Sequence, residues 1–171
     1  MTELWKQDEV VKTVEVPTVD TDEVVQTASH TKDPEFVSRV ETHEGFSLTP
    51  YKDSRGNETI GIGHLVKEGD DFGPTITEKQ AREMFNRDLL EAERMAQSLP
   101  MYGRLNTARQ QVLVEMVFNL GLNGVKGFRN TLKDIEKGNF EAASKRMLRS
   151  DWAKQVGQRA KKLAEIMRRG K

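Results

Sequence analysis

The sequence predicts an α+β fold, predominantly helical, in two lobes: a small helix and β-hairpin lobe joined by one long helix to an all-helical lobe. Three observations predict it. Between residues 33 and 64 a helical apolar pattern gives way to two short extended runs around a polar, glycine-containing turn. Residues 77–99 then read as one uninterrupted helix, and beyond Asn106 apolar residues recur at helical spacing almost to the C-terminus.

The first helix is announced by Asp33-Pro34, an N-cap followed by proline at the first helical position. Phe36, Val37, Val40 and Glu44 fall near one face, and Gly45 ends the helix. Thr49–Asp53 and Glu58–His64 flank the turn Ser54-Arg55-Gly56-Asn57, which makes a hairpin. Gly61 and Gly63 are expected on one face of its second strand, where they let another group come close. Thr77-Glu78-Lys79-Gln80 spells a capping box for the long helix, with Ala81, Phe85, Leu89 and Ala92 on its stripe and Pro100 beyond its end. Asn106 caps a strongly apolar helix running to Gly121, and helices near 128–137, 140–149, 151–156 and 158–169 follow. Trp152 and Phe140 are expected in the core.

Residues 1–32 differ in character. They hold seven acids against three lysines and are rich in valine and threonine, with Trp5 as the one aromatic. Such a segment is too small for its own core. It is read as an acidic N-terminal extension, disordered or docking on a partner, ahead of a single folded domain at 33–171. From Lys126 onward the balance reverses, with fourteen basic and five acidic residues. That surface attracts polyanions, but no nucleic-acid reading motif accompanies it and no nucleic-acid partner is expected. The 171-residue chain has no cysteine, which excludes disulfides, a thiol nucleophile and cysteine zinc sites. His30, His43 and His64 show no ligand spacing, so neither metal nor other cofactor is expected. His64 reads instead as a histidine held by a carboxylate for stability. No apolar run approaches the ~20 residues of a membrane span, and no signal peptide or membrane anchor is read.

Glu44 closes the first helix and Asp53 is placed on the first strand, so a helix ending just before a hairpin aims both carboxylates into one cleft. Glycoside hydrolysis uses such a pair, one carboxyl as proton donor and one ionised carboxylate on the far side of the sugar. The spelling around them is more specific. Glu44-Gly45-Phe46, Tyr51-Lys52-Asp53 and Thr59-Ile60-Gly61-Ile62-Gly63-His64 closely resemble the phage-type lysozymes, glycoside hydrolase family 24. The two acids and the threonine stand nine and then six residues apart, as in that family. Met116–Gly121, Gly124–Phe128, Asp151-Trp152 and Gln158-Arg159-Ala160 extend the resemblance over residues 34–169.

The resemblance implies roles. Glu44 would be the general acid, Asp53 the base that activates water, and Thr59 the residue that holds this water, with inversion at the anomeric carbon. Arg159 would pair with Glu44 and position it. Leu65, Phe118 and Thr131 match positions lining the family's cleft. The implied activity is an endo-acting muramidase that cuts the β-1,4 bond between N-acetylmuramic acid and N-acetylglucosamine in peptidoglycan. Such an enzyme would be made in a bacterial host's cytoplasm and act in the periplasm or cell wall, either free or carried on a phage particle. The acidic extension favours a carried enzyme, with residues 1–32 tethering it to other virion proteins. The competing reading is a structural virion protein that uses a lysozyme-like domain for docking. The intact trio of Glu44, Asp53 and Thr59 argues against it, since packing alone does not ask for that combination. One departure is the short polar connection from His64 to Thr77, which trims the small lobe.

Overall fold

The computed structural model describes residues 29–171. Most of the acidic segment, and with it the expectation that it docks on a partner, lies outside the described residues. Among these residues the chain forms seven α-helices and one three-stranded antiparallel sheet.

Helix α1 (Pro34–Glu44) starts where Asp33 accepts hydrogen bonds from the Glu35 and Phe36 amides, and it stops at Gly45, whose φ of 75° ends the turn. Strands β1 (Ser47–Lys52), β2 (Glu58–Gly61) and β3 (His64–Leu65) follow, paired in that order. The β1–β2 register pairs Tyr51 with Thr59 and Lys52 with Glu58. It is irregular between Ser47 and Tyr51, where Pro50 has no amide to donate.

The sequence pattern read 58–64 as one strand with both glycines on one face. The structure corrects this. Gly61 and Gly63 have φ of 67° and 70°, a region that disfavours other residues, and they reverse the chain so that Ile60 pairs with His64 and Thr59 with Leu65. Alternating glycine allows a strand or a tight turn, and the third strand is too short to show in hydropathy.

Helix α2 (Glu78–Gln97) begins at the expected capping box, with Gln80 N donating to Thr77 Oγ1 at 3.2 Å and Thr77 N to Gln80 Oε1 at 2.8 Å. Its stripe spans two apolar clusters. Ala81 and Met84 join Ile60 and Ile76 under the sheet, while Phe85, Leu89, Ala92 and Ala96 enter the larger core. Phe36 and Val40 enter that same larger core, which seats α1 at the seam between the lobes. Helix α3 (Thr107–Lys126) runs through the middle, buried at every position from 110 to 117, and breaks at Gly121 (φ 71°, ψ 164°). Gly121 ends the first helical run, as expected, and a second run of helical turns continues from it to Lys126. Helices α4 (Arg129–Glu136), α5 (Phe140–Arg149), α6 (Asp151–Val156) and α7 (Gln158–Arg169) close the lobe. Trp152 is buried as expected, and Phe140 is partly buried under the Arg109 guanidinium.

Composition had assigned Ser29–Lys32 to the N-terminal segment, but they pack on the body. Ser29 Oγ and His30 N donate to Glu93 on α2 at 2.5 and 2.8 Å, and the buried His30 ring meets Gln110 of α3 at 3.1 Å. A carboxylate as buried as Glu93 requires donors, and Ser29 and His30 supply them. Among the described residues the packed body thus includes Ser29–Lys32, ahead of the expected division at 32/33.

Candidate active site

A cleft of about 700 Å³ opens between the hairpin, the end of α1, the break in α3 and the α6–α7 junction. Glu44, Asp53, Thr59, Leu65, Phe118 and Arg159 all line it. The sheet presents its residues from one side and α3 and α7 theirs from the other.

Glu44 is the last residue of α1. Arg159, in the first turn of α7, donates Nη1 to Glu44 Oε1 at 2.8 Å and Nη2 to the carbonyl of His43. Gly63 backs the carboxyl: a Cβ there would lie 2.8 Å from Glu44 Oε2 and 3.1 Å from Glu44 Cβ, and the φ of 70° itself favours glycine. Burial raises the pKa of Glu44 above the usual glutamate value, and the charge and hydrogen bond of Arg159 oppose this without cancelling it. The carboxyl is thereby disposed to keep its proton to a higher pH than a free glutamate.

Asp53 lies one residue past β1, not on it, at the head of the turn. Its Oδ1 accepts the Arg55 and Asn57 amides at 2.9 and 2.8 Å, and its Oδ2 accepts Asn57 Nδ2 at 3.2 Å. Partial burial works against its charge, but the hydrogen bonds from Asn57 and Arg55 and the Arg55 guanidinium together hold its pKa below the ordinary aspartate value. Two carboxylates on one cleft thus have their protonation pushed in opposite directions. Tyr51 feels both. Burial, then the charges of Glu44 and Asp53, raise its hydroxyl's pKa.

Thr59 is buried on β2, and its Oγ1 donates to the Asn57 carbonyl at 3.2 Å. The hydroxyl proton is thus committed, while the oxygen lone pairs remain available to accept.

The Phage lysozyme family model matches residues 41–171. The chain belongs to the phage lysozyme family. It is 31% identical over 152 residues to "Probable T4-type lysozyme 1" of Dictyostelium discoideum, covering 74% of this chain and 89% of that one. It is 33% identical over 111 residues to "Endolysin" of Salmonella phage P22, covering 63% of this chain and 75% of that one. Over 151 residues it is 30% identical to "Pre-baseplate central spike protein Gp5" of Enterobacteria phage T4, covering 74% of this chain and 26% of that protein. The chain is thus a lysozyme, a hydrolase.

In this lysozyme the structure brings together six of the seven residues expected at the site. Leu65 stands on the cleft wall, 45% exposed, a large apolar side chain left in contact with solvent. Phe118 faces it from α3, edge-on to Phe85 at 5.6 Å between ring centres. Thr131 is the exception. It is buried on α4, one turn from Ile135 on the same face, and borders a separate depression with Arg146 and Arg149. The stripe that α4 packs against α5 places it outside the cleft that Glu44 and Asp53 line.

Several residues at the cleft were not singled out from sequence. Asn57 and Arg55 read as ordinary turn residues, yet their hydrogen bonds and the Arg55 charge hold down the pKa of Asp53. Arg55 also reaches across the cleft, donating Nη2 to the Asn119 carbonyl of α3 at 2.7 Å. His43, the neighbour of Glu44, lines the cleft as well. Among the described residues no cluster of three or more histidines or acids is placed to hold a metal ion, and no helix is long and apolar enough to cross a membrane.

Proposed function

We propose that this lysozyme is an endo-acting muramidase, cutting the β-1,4 bond between N-acetylmuramic acid and N-acetylglucosamine of peptidoglycan with inversion at the anomeric carbon. The observation that carries the reading is the pair of carboxyls on one open cleft with opposed pKa shifts, Glu44 raised and Asp53 lowered.

Glu44 holds its proton and gives it to the departing glycosidic oxygen. Asp53, ionised, takes a proton from a water that attacks the anomeric carbon from the opposite face. Thr59, whose own proton goes to Asn57, accepts a hydrogen bond from that water and fixes its position. Arg159 positions Glu44, and Leu65 and Phe118 provide apolar walls for the sugar rings. Thr131 has no part in this set.

Of the similar proteins, one is named an endolysin and another a spike protein of a phage particle. An acidic N-terminal extension, in addition to a catalytic body, favours the carried form. We place residues 1–28 as the tether to a larger particle.

Turbidity clearing of permeabilised Gram-negative cells by wild type, Glu44→Gln and Asp53→Asn tests the catalytic roles. Each substitution is expected to lower the rate by ~10² or more. NMR of the first-formed product should show the inverted α-anomer. Variants as active as wild type, or a product of retained configuration, would overturn the assignment.

A further inference from the structure

Glu115 is wholly buried in the apolar middle of α3, between Val114 and Met116. Bringing a carboxylate to such a place costs several kcal/mol per ion, and an apolar replacement of a buried ion set is often neutral or stabilising. The fold itself therefore does not ask for this acid. Its partners nevertheless favour the charged form. Burial opposes its charge, but hydrogen bonds and charges from His43 and Arg39 hold its pKa below the usual glutamate value.

Its two partners come from α1. Arg39 donates Nε to Glu115 Oε2 at 2.9 Å, and His43 Nδ1 bonds Oε1. Residues 39 and 43 are one turn apart and share a helix face. His43 immediately precedes Glu44, and its carbonyl accepts the same Arg159 that holds the Glu44 carboxyl.

His43 also lines the cleft. Together with Thr42 it forms the ridge between the cleft and an adjoining depression of about 470 Å³ bordered by Ser38, Arg39 and Lys162. We propose that His43 is a substrate-contacting residue whose Nε2 hydrogen-bonds the bound saccharide, and that Glu115 is a positioning residue that fixes the ring for this contact. The proposal rests on the muramidase reading for its ligand.

The chemistry follows from the hydrogen bond behind the ring. A carboxylate can only accept, so the nitrogen facing Glu115 carries the proton, and Nε2 is the nitrogen left for the cleft. Sugar hydroxyls and acetamido groups offer both donors and acceptors, so Nε2 finds a partner in either protonation state. Arg39 completes the support. Its guanidinium lies 5.2 Å from the Phe36 ring centre, and its Nη2 is buried with no hydrogen-bond partner among the described residues. An arginine held in this way braces Glu115 at the expense of its own hydrogen bonding. A ring fixed before the ligand arrives loses little freedom on binding.

Two measurements test this. Long-range ¹H–¹⁵N correlation on histidine-labelled protein should show a protonated Nδ1 at His43 and a shift of its Nε2 on titration with tri-N-acetylchitotriose. In steady-state hydrolysis of soluble peptidoglycan fragments, His43→Ala should raise KM about three- to tenfold with a smaller change in kcat. Glu115→Gln should raise KM similarly, and combining it with His43→Ala should add little. If Glu115→Gln does not fold, the doubly apolar Arg39→Met/Glu115→Leu variant removes the charges together and should show the same rise. An enzyme that hydrolyses wall fragments while His43→Ala leaves KM unchanged overturns the His43 contact alone. An unshifted Nε2 with saturating saccharide does the same. A KM unchanged in the folded Glu115 variants overturns the positioning role. A wild type that hydrolyses nothing counts against the muramidase reading, and the titration still decides the His43 contact.

Discussion

Arg159 donates a hydrogen bond to Glu44 at 2.8 Å, yet the Glu44 carboxyl keeps its proton to a higher pH than a free glutamate. Burial is the larger influence and the ion pair the smaller. The pairing therefore aims the carboxyl without forcing it to ionise, as a general acid requires. Removing the cation leaves burial unopposed. In Arg159→Met the alkaline limb of kcat/KM is expected to move to higher pH, because the acid stays protonated longer. The maximal rate should fall, by about tenfold or more, as the carboxyl loses its fixed direction. A pH–rate profile of the variant checks both. An alkaline limb that moves to lower pH would mean that Arg159 does not act on Glu44.

In the proposed mechanism the opposite limb belongs to Asp53. Its pKa is lowered although burial resists this, because Asn57 donates through both backbone and side chain and Arg55 adds an amide and a charge. Activity should therefore persist in acid until Asp53 takes up a proton below the ordinary aspartate range. Asn57→Ala deletes the side-chain donor at 3.2 Å while leaving the backbone amide. Its acid limb is expected to shift upward in pH, with an unchanged alkaline limb. The same profile measured on wild type and variant decides it.

The order of helices was legible because capping and breaking residues are local. Asp33-Pro34, the Thr77–Gln80 box and Asn106 each act within one turn of chain, and each helix begins where they stand. That Glu44, Asp53 and Thr59 would meet at one cleft was legible because they come from one short stretch with a specific spelling. What stayed hidden depends on distant parts of the chain. Glu115 lies 72 residues from His43, and Arg55 64 from Asn119. No local pattern announces such pairs. Thr131 was misplaced for the same reason: its helical position is local, but which cleft it borders depends on how α4 packs on α5.

His64 supplies a test of stability against pH. Its Nδ1 donates to Asp88 Oδ2 at 2.5 Å, and this hydrogen bond raises the histidine's pKa above its usual 6.5 against the opposing effect of burial. A folded state that binds the proton more tightly than the unfolded one gains stability at low pH. The contribution is full below about 6.5, the unfolded value, and is lost as pH rises through the higher folded value. Asp88→Asn should therefore destabilise the protein by about 1.5–3 kcal/mol on the acid side of this window. On the alkaline side the difference should be smaller. Denaturant melts at several pH values across the window measure it. A constant difference would show that the pair stabilises without linkage to His64 protonation.

The N-terminal contacts make the position of a truncation matter. Deleting residues 1–28 retains the hydrogen bonds from Ser29 and His30 to Glu93, whereas deleting 1–32 removes both and leaves a carboxylate that is 2% exposed without these donors. It also removes the His30 ring from its place between Phe36 and Tyr102, an apolar contact that water would have to fill. Hydrogen bonds to a charged group are worth about 1.5–3 kcal/mol each, and an orphaned buried charge costs more than the bonds themselves. The longer deletion is therefore expected to lower the melting temperature by several degrees relative to the shorter one, although the two differ by four residues. Glu93→Leu in the longer deletion removes the stranded charge and should restore part of the loss. Equal melting temperatures for the two truncations would mean that Glu93 finds other partners once Ser29 and His30 are gone. Tests of particle incorporation should accordingly use the protein lacking 1–28, which keeps the contacts of Ser29 and His30 with Glu93.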